Sequence, residues 1–442
     1  MLARIIARLR GDSVARLRGD SVARLRGSSA PAPSAVPAQL QRELAETVRR
    51  GDRAQVIALC DKILALAPDD PSALLAAAVN RLKTGDPQRA AEHFARIEAL
   101  GSGDASTARL LDEALIDPER AARGEPYVAT LHDVLVDADF WSVIDGDRIY
   151  TRETQARTVA NSPRVRGRVT PDRAQCIMTL PRAPRRIEAP CILLGSDANY
   201  AHWVLRNVLK LSLLEQADLP AGLPYLVADN LRPWHRAYLE LLGIPEARLL
   251  RVPPDEVVVC ATLHVPTQLR NHPRMGEAID WLRAKVAAHR VKGAAPDAEG
   301  ALLYASRREQ SNRRLLNEAE VEALLAQRGF RVIVPGEMRV PDQIAAFSRA
   351  RVVVAPHGAG LANMVFAPPG ATLIEITSRA IHHMDEFRMA AQAGGQQVQC
   401  VVSEDLGPAR SGGGPEMHRD YRVDLDALRA ALDEVLAPPG RG

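Results

Sequence analysis

The sequence predicts an α/β protein whose strands form parallel sheets covered on both faces, preceded by a small α-helical repeat module. Three observations lead there. From residue 300 onward, short apolar strands alternate with helical segments, the pattern of a parallel sheet flanked by helices. Strands and helices also alternate between residues 191 and 290. Between residues 39 and 100 a Gly-Asp pair recurs after thirty-four residues, at Gly51-Asp52 and Gly85-Asp86, the period of tetratricopeptide helix pairs.

A chain of 442 residues exceeds what one hydrophobic core supports. The sequence divides at 1–38 (a basic low-complexity arm and linker), 39–120 (the helical module), 121–292 (a first α/β domain) and 300–442 (a second). The apolar fraction of 46% and charged fraction of 25% describe an ordinary globular protein. No apolar run approaches the roughly 20 residues that span a bilayer, and Met1 to Arg10 lacks the apolar core of a signal peptide. Cys60, Cys176, Cys191, Cys260 and Cys400 are odd in number and scattered, so a zinc site or disulfide framework is not expected and a reducing cytoplasm fits. The +3 net charge is unevenly placed: the first thirty residues hold seven arginines against two aspartates, +5, so the remainder sums to about −2. The body of the chain therefore has no basic bias of the nucleic-acid-binding kind.

The arm repeats with period eight: ARLRGDSV from Ala7 and Ala15, then ARLRGSSA from Ala23. Eight matches no helical period, so a disordered arm is the plainer expectation. Ahead of it, Leu2, Ile5, Ile6 and Leu9 share one helical face and could touch an anionic membrane surface. The Pro/Ala/Ser stretch at 28–38 reads as a linker. Residues 39–100 read as two helix–turn–helix units, too few to stand alone, serving either as a structural cap or as a docking surface for a protein partner.

Beyond Pro126 come short strands, then strand CILLGS and the long helix NYAHWVLRNVLKLSLLEQA from Asn199. Strand PYLVAD, helix WHRAYLELLG and further strands follow, and helix MGEAIDWLRAKVAAHR leads to the Gly/Ala/Pro-rich boundary at 292–300. The last third runs ALLYAS, helix from Asn317, FRVIVP, helix, RVVVAP, helix from Gly358, ATLIEI, helix, QQVQCVV and a final helix. Ligands of such folds lie at the carboxyl ends of the strands.

Three clusters carry potential chemistry. His357-Gly358-Ala359-Gly360 joins a buried strand to a helix, where free amides and the helix dipole suit an anion. GAGLAN also nearly matches a dinucleotide fingerprint with Asn363 in the third glycine's place, and Glu375 at the end of the next strand could take ribose hydroxyls. The turn follows the third strand of its half rather than the first, which disfavours that fingerprint. SRREQSNRRLLNEAE puts four arginines in eight residues beside a strand end. Arg307 and Arg313 there suit phosphate contacts, and Asn317 with Glu320 forms a plausible capping box. In DANYAHWVLRN, Asn199 is the expected N-cap. His202 sits in the first turn, a general-base position equally compatible with a structural role.

The order and spacing of these clusters, over about 185 residues from Cys191 to Ile376, resemble glycosyltransferase family 61, proteins often described as capsular polysaccharide biosynthesis proteins. The matching motifs are N-Y-x-H-W at Asn199 to Trp203, S-R at Ser306-Arg307, R-R-L-L-N-E at Arg313 to Glu318, P-H-G-A-G-L-x-N at Pro356 to Asn363, and the strand bearing Glu375. The resemblance implies a GT-B fold, two Rossmann-like domains facing a cleft. It implies inverting transfer of a sugar from a nucleotide-sugar donor to a hydroxyl on a glycan or other acceptor, with no essential metal and no cofactor.

On that reading Arg307, Arg313, Asn317, His357, Gly358, Ala359, Gly360 and Asn363 hold the donor, Glu375 its ribose, and His202 is the base. Family members often carry an acid four positions after the motif's histidine, where this chain has Arg206; Asp197 is the expected substitute. A polysaccharide-synthesis role in the cytoplasm, peripheral to the inner face of the membrane if the arm binds lipid, follows. The competing expectations are an NAD-linked oxidoreductase, and a non-catalytic sugar-binding scaffold with a repeat docking module.

Overall fold

A computed structural model describes residues 36–101, 106–154, 164–168, 175–270, 272–288, 300–405 and 419–437. The octad repeat, residues 28–35 of the linker and the boundary at 292–299 lie outside the described residues. The chain forms two compact units. One comprises Met1–Asp117, Thr130–Pro190 and Pro253–Leu263; the other Pro118–Ala129, Cys191–Val252 and His264–Gly442. The segment 121–292, read above as one domain, is thus shared between them.

Among the described residues of the first unit, helices run Ala38–Arg50, Arg53–Leu66, Pro71–Lys83 and Pro87–Gly101. Each helix contacts the next. The first pair is joined where Gly51 adopts a left-handed conformation and Asp52 caps the amide of Gln55, the geometry that a Gly-Asp turn supplies. Val56, Leu59, Cys60 and Ile63 pack against Ala73, Ala76 and Ala77. The second pair does not end at its own core. Leu82, Ala90 and Phe94 pack on Ile177, Ala108 and Leu110, from the antiparallel strands Ser106–Ala114 and Gln175–Pro181. Two helix pairs that could not bury both faces alone are covered by a sheet.

The second unit holds the cleft. Strands Cys191–Leu193, Tyr225–Ala228 and Leu249–Val252 are parallel. A six-stranded sheet follows, in the order Arg331–Ile333, Ala301–Ala305, Ala350–Pro356, Thr372–Ser378, Gln397–Asp405, Tyr421–Arg422, parallel except for the last pair. Its residues alternate between two cores. Leu303, Val353, Ala355 and Leu373 face one, together with Trp203, Val204, Val208, Phe347 and Met364. Tyr304, Val352, Val354, Ile374 and Ile376 face the other, under Leu428 and Leu432 of the closing helix. Burial on both faces is why these strands read as continuous apolar runs.

Two helices differ in type from the sequence expectation. After one α-turn at Tyr200–His202, the long helix continues as a π-helix over Trp203–Val208 and a 3-10 helix over Leu209–Glu215. The GAGLAN helix is 3-10, Ala359–Phe366. Wide and tight turns of this kind often sit at functional sites. Both border the cleft.

Candidate active site

A cleft of about 1080 Å³ opens in the second unit, at the upper end of the range for small-molecule sites. Its walls include Asn199, His202, Arg206 and Trp234 from the first half, and Arg307, Arg313, Pro335, His357, Gly358 and Gly360 from the second.

The loop after strand Ala301–Ala305 is shaped by Glu318, whose Oε1 accepts from Tyr304 Oη, Ser306 Oγ and the Arg307 amide at 2.9, 2.7 and 3.2 Å. This fixes where Arg307 leaves the strand. The four arginines then separate. Arg308 pairs with Glu322 and Arg314 with Asp420, while Arg307 and Arg313 line the cleft. Neither of the latter is within ion-pair distance of a carboxylate among the described residues. Burial lowers the pKa of Arg307 and pushes that of Arg313 down to about 10, with Arg307 adding to the effect. Arg313 also holds a left-handed backbone (φ 51°) and a sealed, partnerless Nε. Two half-buried guanidiniums without a carboxylate partner among the described residues form a site that favours an anion.

Gly358 belongs to that site for a specific reason. A Cβ there would sit 2.3 Å from Arg307 Nε and 2.4 Å from its Cδ, so its lack of a side chain makes room for the arginine. At Gly360 a Cβ would meet the Pro335 ring at 3.3 Å.

His357 and Glu375 meet, though not as ribose ligands. Glu375 lies in the middle of strand Thr372–Ser378 rather than at its end, and is fully buried. Its oxygens accept from His357 Nδ1 and Arg388 Nη1, each at 2.6 Å, so its carboxylate does not reach the cleft. The expected ribose contact is therefore replaced by a buried His357–Glu375–Arg388 chain.

Asn317 and Asn363 are likewise structural in placement. The box with Glu320 does not form, because Asn317 is buried and exchanges both amide bonds with the backbone of Val423. Asn363 accepts from Tyr200 Oη and donates to Gln343 Oε1 and the Gly360 carbonyl. Ala359 starts the 3-10 turn.

Across the cleft, Asn199 caps the amides of Ala201 and His202 as expected. His202 Nδ1 lies 3.0 Å from Asp197 Oδ2, with its ring 23% exposed. Asp197 also accepts from the Asn199 amide, and its carbonyl accepts from His235 Nε2. Burial lowers the His235 pKa to about 4, and its Nδ1 accepts from the Arg232 amide, so this ring is neutral with its proton on Nε2. It anchors the loop from which Asp197 orients His202.

Sequence reasoning missed Glu386, the first residue of helix Glu386–Ala393. It binds Arg206 through two bonds of 2.6 and 2.5 Å, with Arg270 at 3.6 Å. Burial raises its pKa, but Arg206, with Arg270 and His202 adding to it, holds it below the usual range. Glu386 is 180 residues from Arg206, and no local signal links them. Among the described residues no group of three His, Cys, Asp or Glu side chains is placed to hold a metal ion.

Residues 200–374 match the family model described as Glycosyltransferase 61, a span that contains His202, Arg307, Arg313, His357 and both glycines. The chain is similar to the β-1,2-xylosyltransferase XYXT1 of Oryza sativa subsp. japonica, 27% identical over 250 residues, 51% of this chain and 52% of that protein. It is similar to protein O-linked-mannose β-1,4-N-acetylglucosaminyltransferase 2 of Canis lupus familiaris, 31% identical over 147 residues, 32% of this chain and 25% of that one. A third relative is the rice α-1,3-arabinosyltransferase XAT2, 39% identical over 88 residues, 19% of this chain and 15% of that one. The chain spans about half the length of the first of these relatives, and a quarter or less of the other two. Together the matches support a glycosyltransferase domain of family 61 over the region that builds the cleft.

Proposed function

We propose that this chain is an inverting, metal-independent glycosyltransferase of GT-B architecture, moving a sugar from a nucleotide-sugar to a hydroxyl of a glycan acceptor in polysaccharide synthesis. The observation that carries the reading is the pair of half-buried, carboxylate-free guanidiniums, Arg307 and Arg313, in the same cleft as the His202–Asp197 pair. Arg307, Arg313 and the amides from Gly358 to Gly360 hold the donor diphosphate. As the C1–O bond breaks, the electron pair goes to the diphosphate and the guanidiniums stabilise the charge. His202 takes the proton of the attacking hydroxyl, held in orientation by Asp197. Attack from the face opposite the diphosphate inverts the anomeric centre.

Arg206 stands where relatives often have an acid, and Glu386 returns a carboxylate to that part of the cleft through the ion pair. This weakens the scaffold alternative, which an uncompensated Arg206 would favour. The helical pairs at 39–100, read as tetratricopeptide-like, have one side on the sheet of their own unit and offer the remainder to a partner. No helix among the described residues is long and apolar enough to cross a membrane; the cytoplasmic assignment and membrane contact through residues 1–10 remain part of this proposal.

Thermal-shift measurements test the reading. A nucleoside diphosphate should raise the melting temperature, because a ligand of the folded state adds stability, and excess EDTA should leave the shift intact. A shift lost with EDTA and restored by Mn²⁺ or Mg²⁺ would refute the metal-free mechanism. A shift with NAD(P) alone would favour the oxidoreductase.

A further inference from the structure

We propose that His357 takes up a proton when the donor diphosphate binds, and presents Nε2–H to it as the third cation of the site. The inference rests on the donor-site reading of the same cleft, and deepens it by assigning a leaving-group acid.

The ring's surroundings dictate which nitrogen can change state. Nδ1 faces Glu375 Oε1 at 2.6 Å. The other oxygen of that carboxylate is held by Arg388, whose Nη2 is tied in turn to the His382 carbonyl. Nδ1 donates to that carboxylate, which Arg388 braces from its other oxygen, so any change of state falls on Nε2. Nε2 is left without a protein partner and is not sealed from solvent, although the residue is only 3% exposed and lines the cleft.

The charges facing the ring explain why it is neutral when the cleft is empty. Glu375 comes from strand Thr372–Ser378, and Arg388 lies behind it on helix Glu386–Ala393. Arg307 and Arg313 act on it from the loop after strand Ala301–Ala305, and the Phe387 ring, 4.9 Å away, is apolar. The Tyr421 hydroxyl donates to the Ile376 carbonyl, and burial raises its pKa out of the neutral range. For His357, burial outweighs Glu375, and Arg313 and Arg307 add to the lowering.

A diphosphate reverses both influences of the arginines. It neutralises their charge and places oxygens beside them, where an imidazolium is favoured. The proton comes from solvent on binding and returns to it when the product leaves; no covalent bond of the protein changes. During transfer the proton of the acceptor hydroxyl goes separately to His202, and the Nε2–H bond strengthens as the breaking C1–O bond delivers its electrons to the diphosphate.

Calorimetry with inorganic pyrophosphate as the probe, in two buffers of different ionisation enthalpy near neutral pH, counts the protons bound. Wild type should take up roughly one more proton per pyrophosphate than His357→Gln, a difference that cancels the ligand's own titration. His202→Ala should keep the wild-type number. Equal uptake in wild type and His357→Gln overturns this inference alone, whereas absence of any pyrophosphate binding to wild type overturns the donor-site reading itself. In the wild-type protein labelled with ¹⁵N-histidine, pyrophosphate should move one Nε2 from the unprotonated to the protonated range. No histidine changing state would likewise overturn the proposal, whatever the variant's folding.

Discussion

Gly358→Ala should weaken donor binding without touching a donor atom. The residue has an extended backbone (φ −178°, ψ 169°), which alanine adopts freely, so no strain arises in the main chain. The added methyl instead meets Arg307, at 2.3 Å from Nε and 2.4 Å from Cδ. Such contacts are untenable, and the guanidinium must swing away from the Gly358 turn. The loss should approach that of Arg307→Ala, about 1.5–3 kcal/mol for a hydrogen bond to a charged group, or about 10- to 150-fold in Kd at 1.4 kcal/mol per tenfold. Because both substitutions remove one interaction, their combination should cost little more than either alone. Nucleoside diphosphate affinities of the four proteins at fixed ionic strength complete the cycle, with circular dichroism to verify folding. Wild-type affinity in Gly358→Ala, or losses that simply add, would refute the account of how Gly358 and Arg307 share the site.

Other expectations follow from the same geometry. His202→Ala should leave nucleoside diphosphate affinity nearly unchanged and slow transfer about 100-fold or more, as for lost general-base help; full activity would move the base elsewhere. Arg206→Ala should destabilise the fold by about 3–5 kcal/mol by stranding the Glu386 carboxylate, and Arg206→Met with Glu386→Met should recover much of that in denaturant titrations; a single-variant cost near zero would show the pair to be unimportant. Lys210 is 1% exposed, and burial lowers its pKa to about 7 from the ordinary 10.5. Between those values the unfolded chain binds more protons than the folded one, so stability rises with pH. Lys210→Met should abolish that slope and exceed wild type in stability at pH 7, with the gap narrowing toward pH 10. Parallel pH–stability curves for the two proteins would count against it.

The sequence by itself determined the alternation of apolar strands and helices, because strands buried on both faces must be apolar throughout, and it exposed the helix-pair period and three motif clusters at strand ends. It did not separate Arg307 and Arg313 from Arg308 and Arg314. That depended on where Glu322 and Asp420 come to rest, and Asp420 lies 106 residues from Arg314. Glu375 shows the same limit. Its place between apolar neighbours in ATLIEI was a sign of a fully buried strand position, where a carboxylate needs protein partners, and only the parallel register beside Ala355 and Cys400 set it within reach of His357 and Arg388. Arg206 read as a missing acid until Glu386 arrived from 180 residues away. Local periodicity is written in neighbouring residues, whereas which charges are neutralised is decided by partners that only chain folding brings together.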